Sequence, residues 1–147
     1  MKHIFYLLNF IIVFALPSQL IADSSTIIEQ EIILVANTSV DSISTRELRS
    51  IYSTKLKKWS NGQAIQVFNL APENNHFRQF CLQNLRLQPH QLERIWKRMV
   101  FTGTGTPPTI VSSIDEMKNK IMTTPGAIGY IPNNIEIPQQ YKLKVIK

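Results

Sequence analysis

The segment most suited to holding a ligand is Gly103-Thr104-Gly105-Thr106. Glycine-rich turns expose backbone amides, and threonine hydroxyls add donors, so such a loop can receive an oxyanion without a full positive charge beside it. A plain connection whose glycines permit positive φ fits the same residues. Other reactive residues are sparse. Of the three histidines, His3 lies at the extreme N-terminus, while His76 and His90 have no metal-ligand spacing between them. Cys81 is the single cysteine, so neither an internal disulfide nor a cysteine-built metal site is expected. A Cys81–His76 nucleophile pair fails on geometry, because five residues apart on one helix places them on different faces. Asp115 and Glu116 are adjacent acids at the start of a helical pattern, where the helix dipole accounts for them. No P-loop, GxSxG elbow or HExxH occurs. A binding or interaction protein without a cofactor is therefore expected rather than an enzyme.

The chain begins with Lys2 and His3, then an apolar run from Ile4 to Leu16 broken only by Asn9, then Pro17-Ser18 and a small residue, Ala22. That order predicts a cleavable secretory signal over residues 1–22, since the run falls short of the ~20 residues that span a bilayer. Export to the periplasm follows from that expectation. Residues 23–147 then suit a single domain. The formal charge of +6 is moderate. For an exported chain it favours a small anion or an acidic protein surface over nucleic acid. The cations fall in two groups, Lys55, Lys57 and Lys58, and Arg86, Arg94, Lys97 and Arg98. Each group by itself also reads as a solvated face.

The elements that must position these residues follow from periodicity. Ile32 to Val35 reads as a buried strand. Ser44 and Glu47 have capping-box spacing, opening a helix with Leu48, Ile51 and Tyr52 on one face. Trp59 closes that segment, and Ser60-Asn61-Gly62 turns the chain into a strand from Ala64 to Leu70. Pro72 fits the first turn of a helix whose inner face is Phe77, Phe80, Cys81 and Leu85. Pro89 opens another, with Leu92, Ile95, Trp96 and Met99 as its core stripe. Phe101 to Pro108 reads as a loop. Ser113 and Glu116 form a second capping-box pattern before Ile114, Met117 and Ile121. Pro125-Gly126 leads into a strand from Ala127 to Ile131, and Tyr141 to Ile146 alternates like an edge strand. Strands separated by helices predict a layered α/β domain, a mixed sheet flanked by helices.

Three stretches, in order, resemble the phosphate-type periplasmic substrate-binding proteins. They are ISTRELRSIYSTKLKKWSNGQAIQVFN from Ile43 to Asn69, WKRMVFTGTGTPPTIVSS from Trp96 to Ser113, and TTPGAIGYI from Thr123 to Ile131. The resemblance implies a type-2 periplasmic-binding-protein-like fold, of which this chain would hold a single lobe. It further implies a solute-binding protein for phosphate or another oxyanion, working with an ABC permease. One departure bears on the ligand. Where the family carries an Arg/Asp/Ser-Gly-Thr loop opening a helix, this chain has Leu70-Ala71-Pro72-Glu73-Asn74-Asn75-His76. The clamp is unmatched, and Glu73 would repel phosphate. By position and chemistry, Asn74, Asn75 and Arg78 join Gly103, Thr104, Gly105 and Thr106 as candidate ligands. The alternative is an accessory module that kept the fold and lost the phosphate site. Such a module would set its cleft face against another periplasmic protein, or against a second copy of itself as a homodimer.

Overall fold

A computed structural model of the 147-residue chain describes residues 31–146. The expected signal over residues 1–22 lies outside the described residues. Six strands form one mixed sheet. They are β1 (Ile32–Ala36), β2 (Ser42–Ser44), β3 (Gln66–Leu70), β4 (Thr109–Val111), β5 (Ala127–Pro132) and β6 (Lys142–Ile146). Their order across the sheet is β2-β6-β1-β5-β3-β4. β1 runs antiparallel to both β5 and β6, from Ile32 opposite Pro132 to Ala36 opposite Ile128. β3 runs parallel to β4 and β5, and β2 parallel to β6. β5, near the middle, is buried along its whole length, which is why it reads as an uninterrupted apolar run.

The helices are α1 (Thr45–Tyr52), α2 (Asn75–Phe80), α3 (Pro89–Thr102) and α4 (Ile114–Thr123). α1 starts where its capping box requires. The Ser44 hydroxyl accepts from the Glu47 amide at 3.2 Å, and the Glu47 carboxylate accepts from the Ser44 amide at 2.8 Å. The Ser44 hydroxyl also donates to the Glu47 carboxylate at 2.7 Å, and this bond first, with that from the Ser44 amide, holds the Glu47 carboxyl below its usual range. At α4 the box is divided between neighbours. Ser113 Oγ accepts from the Glu116 amide, while the Glu116 carboxylate reaches back to the amide and hydroxyl of Ser112.

Successive side chains of β5 point to opposite faces, and two residues show what covers each. A Cβ built on Gly129 would meet Met117 and Ile121, so that face belongs to α4. The Tyr130 ring stacks on Phe80 with centroids 4.0 Å apart and lies 6.4 Å from Tyr52, so the opposite face belongs to α1 and α2. α3 forms a further layer outside those two. Its Trp96 packs on Phe77 and donates from Nε1 to the Tyr52 carbonyl at 2.7 Å.

Several boundaries depart from the periodic reading. α2 begins at Asn75 rather than near Pro72, because Asn74 is the better cap: its Oδ1 accepts from the His76 amide at 2.9 Å. The helix then widens into a π turn over Cys81–Leu85, keeping Phe77, Phe80, Cys81 and Leu85 buried together. α3 continues through Thr102 and ends on Gly103 at φ 65, so Phe101 and Thr102 are helical, not loop. The Tyr141–Ile146 segment is not an edge, since β2 pairs along its outer side.

Candidate functional site

The candidate residues fall in two separate places. Asn74, Asn75 and Arg78 lie at the β3–α2 turn. The Asn74 side chain is engaged in capping, and Asn75 and Arg78 are exposed on the first helical turn.

Residues 103–106 follow the C-terminus of α3, the negative end of a helix dipole. The Gly103 amide donates to the Val100 carbonyl at 3.3 Å and the Thr104 amide to the Met99 carbonyl at 3.1 Å, so neither is offered to a ligand. The Thr104 hydroxyl lies 2.8 Å from that of Thr102. Gly105 serves a close approach: an added Cβ would fall 2.3 Å from Met99 Cε and 2.8 Å from Thr54 Oγ1. Thr106 is exposed, in a small cavity beside Pro107 and Lys57.

What the fold assembles instead is a groove of about 800 Å³ between the end of α1 and α3. Lys55 and Lys57 stand on one wall and Arg94 and Arg98 on the other, and among the described residues no acidic one lines it. Leu87, Ile95 and Met99 supply its apolar surface, and Thr104 sits at the rim. The two basic groups that the sequence presents some 40 residues apart thus converge. The core stripe expected on α3 also divides: Leu92 and Trp96 are buried, whereas Ile95 and Met99 are half-exposed in the groove. Trp59 is core rather than surface, with its Nε1 donating to the Gly126 carbonyl at 3.0 Å.

The α1 wall is held by an unusual residue. Thr54 takes φ 58, the left-handed conformation that usually falls to glycine just past a helix end. Its hydroxyl donates to Met99 Sδ at 3.0 Å, tying that strained turn to α3. A signal for the groove does exist in sequence. Arg94 and Arg98 are one helical turn apart, and Ile95 and Met99 repeat that spacing beside them.

Solved structures identify the architecture. The chain matches an ABC-type phosphate transport receptor from Vibrio cholerae with a TM-score of 0.59 at 14% identity, over 79% of this chain and 46% of that one. It matches a putative phosphate ABC transporter substrate-binding protein with bound phosphate from Clostridium perfringens with a TM-score of 0.60 at 17% identity, over 79% and 45%. PstS from Borrelia burgdorferi gives 0.58 at 17% identity, over 79% and 47%. The chain has the fold of one lobe of a phosphate-type substrate-binding protein. It spans less than half the length of these neighbours. No family model matches the sequence, and no curated protein does so.

Among the described residues of this lobe, no helix is long and apolar enough to cross a membrane, and no group of three His, Cys, Asp or Glu could hold a metal ion. Cys81 packs in the core, and burial pushes its thiol from 9.0 up to about 12. We expect it to stay unreactive toward a disulfide reagent near pH ~8 until the lobe unfolds, because thiolate is the reactive form. The unfolded thiol ionises first as pH rises, so the folded state holds the extra proton between the two values. Its contribution to stability is therefore present below about pH 9 and lost as pH climbs toward 12. Denaturant melts across that alkaline range, together with thiol-labelling rates, check both expectations. Fast labelling of the folded chain would refute them.

Proposed function

We propose that this lobe is an exported interaction module that keeps the substrate-binding-protein fold but acts by docking another protein, not by closing on phosphate. The observation that carries this reading is the β3–α2 turn. Its capping side chain, Asn74, is spent on the His76 amide, and Glu73 adds a negative charge to the turn. The basic groove between α1 and α3 has no acidic lining residue among the described residues. A transport system with an ABC permease is the natural setting, given that the structural neighbours are phosphate transport proteins.

A second reading, an oxyanion-binding protein using Asn75 and Arg78, draws on the neighbour with bound phosphate. Calorimetric titration of the mature chain with inorganic phosphate separates the two. We expect no heat of binding up to millimolar phosphate. A micromolar constant, equivalent to about −8 kcal/mol, would overturn the interaction-module reading in favour of the second.

A further inference from the structure

We propose that the groove between the end of α1 and helix α3 binds an acidic, amphipathic peptide segment of a partner protein. The segment's carboxylates are held by Arg94 and Arg98 on one wall and Lys55 and Lys57 on the other, and an apolar side chain is seated on Ile95 and Met99. The proposal rests on the interaction-module reading and supplies its docking surface and partner chemistry.

Charge carries the argument first. Among the described residues, all four charged side chains lining the groove are cations. Arginine adds geometry to that charge, because its planar fork donates two parallel hydrogen bonds to a carboxylate. Shape decides among anions. An apolar surface lies between the two basic walls in a space of about 800 Å³. Free phosphate is far smaller than this space and has no use for Ile95 and Met99. A bilayer surface could touch the basic rims but would not reach apolar residues set between them. A peptide chain can enter the groove, place carboxylates on both walls and bury a side chain between them. The composition agrees, since arginine, methionine and aromatic residues are enriched at protein interfaces.

The groove also has an extension. Arg94, Lys97, Arg98 and Phe101 fall on one stripe of α3 at spacings of three and four residues. Phe101 is 92% exposed and its neighbour Val100 60%. A segment leaving the groove along this stripe would meet an aromatic anchor. A second copy of this chain is a poor occupant, because both molecules carry a formal charge of +6.

Fluorescence anisotropy of a labelled peptide of alternating glutamate and leucine, added to the mature chain, tests the proposal. Micromolar binding that weakens steeply with salt is expected. Exchanging Arg94→Gln together with Arg98→Gln should weaken it about tenfold, because the walls lose both bidentate partners. Lys118→Gln with Lys142→Gln removes the same charge beside a different cavity and should change it less than about twofold. An all-glutamate peptide should bind more weakly than the alternating one. All four exchanged residues are exposed or half-exposed, and thermal melts verify that each variant folds.

Absence of peptide binding, or equal losses in the two double variants, would overturn the assignment. So would tighter binding to phosphatidylglycerol vesicles than to the peptide, or sedimentation showing a dimer that R94Q/R98Q dissociates. Failure of the interaction-module reading has a different signature: micromolar phosphate binding that R94Q/R98Q leaves unchanged.

Discussion

Replacing Gly126 with alanine is expected to lower stability by about 3 kcal/mol. Two costs combine. Gly126 sits at φ 78, where an L side chain is strained by roughly 1–2 kcal/mol. The added Cβ would also fall 2.1 Å from the Ala64 carbonyl oxygen, a backbone atom that no rotamer change can move aside. The junction around it is dense. The Gly126 amide donates to the Asn37 carbonyl at 2.7 Å, and its own carbonyl accepts from the Gln66 amide and the Trp59 indole, each at 3.0 Å. Shifting the turn to relieve the clash would disturb the starts of β3 and β5 together. Gly62 separates the two costs. It has φ 86 with nothing within 4 Å of an added Cβ, so Gly62→Ala should cost only about 1 kcal/mol. Thermal melts of the two variants check this. A Gly126→Ala midpoint falling by about 10 °C is expected, and equal effects at the two glycines would show that the Ala64 contact is absent.

That junction also shows what a sequence can and cannot reveal about this fold. Pro125-Gly126 followed by an apolar run marks a turn into a buried strand using neighbouring residues alone. The Ser44–Glu47 box and the Phe77, Phe80, Cys81 and Leu85 face were legible for the same reason. β2 and β4 were not. Each has three residues and little periodicity, and each exists because a longer strand offers it hydrogen bonds, β6 to Ser42–Ser44 and β3 to Thr109–Val111. The α3 wall of the groove was legible in its spacing, but its union with Lys55 and Lys57 was hidden by distance along the chain. Lys55 and Lys57 meet Arg94 and Arg98 because Trp96, through the Tyr52 carbonyl, and Thr54, through Met99, hold α3 to the end of α1. The glycines of residues 103–106 suggest a ligand loop in sequence. Their neighbours in space show a helix end at Gly103 and a close approach to Met99 and Thr54 at Gly105.

Removing the Tyr130 hydroxyl has the second large expected consequence. Tyr130→Phe keeps the ring on Phe80, with centroids 4.0 Å apart and planes within 4°, so packing should hardly change. The hydroxyl, however, accepts from the Leu70 amide at 3.1 Å and donates to Asn69 Oδ1 at 2.9 Å. The Asn69 side-chain amide in turn donates to the Leu70 carbonyl at 2.7 Å. All three residues are fully buried. Phenylalanine would strand a backbone donor and a side-chain acceptor where water cannot reach them, at about 1–3 kcal/mol each, and a net loss of about 3 kcal/mol is expected. A double-mutant cycle with Asn69→Ala isolates the shared bond. The pair should couple by about 1 kcal/mol or more, whereas additive losses would mean that the two side chains act independently. The position gives the network its significance. Leu70 is the last residue of β3, and the next residue opens the turn to α2. By occupying the Leu70 amide, the Tyr130 hydroxyl fixes the end of β3 and the direction in which the chain leaves the sheet. The start of the β3–α2 turn is therefore held by a buried contact from β5. It should keep its conformation whether or not phosphate is present.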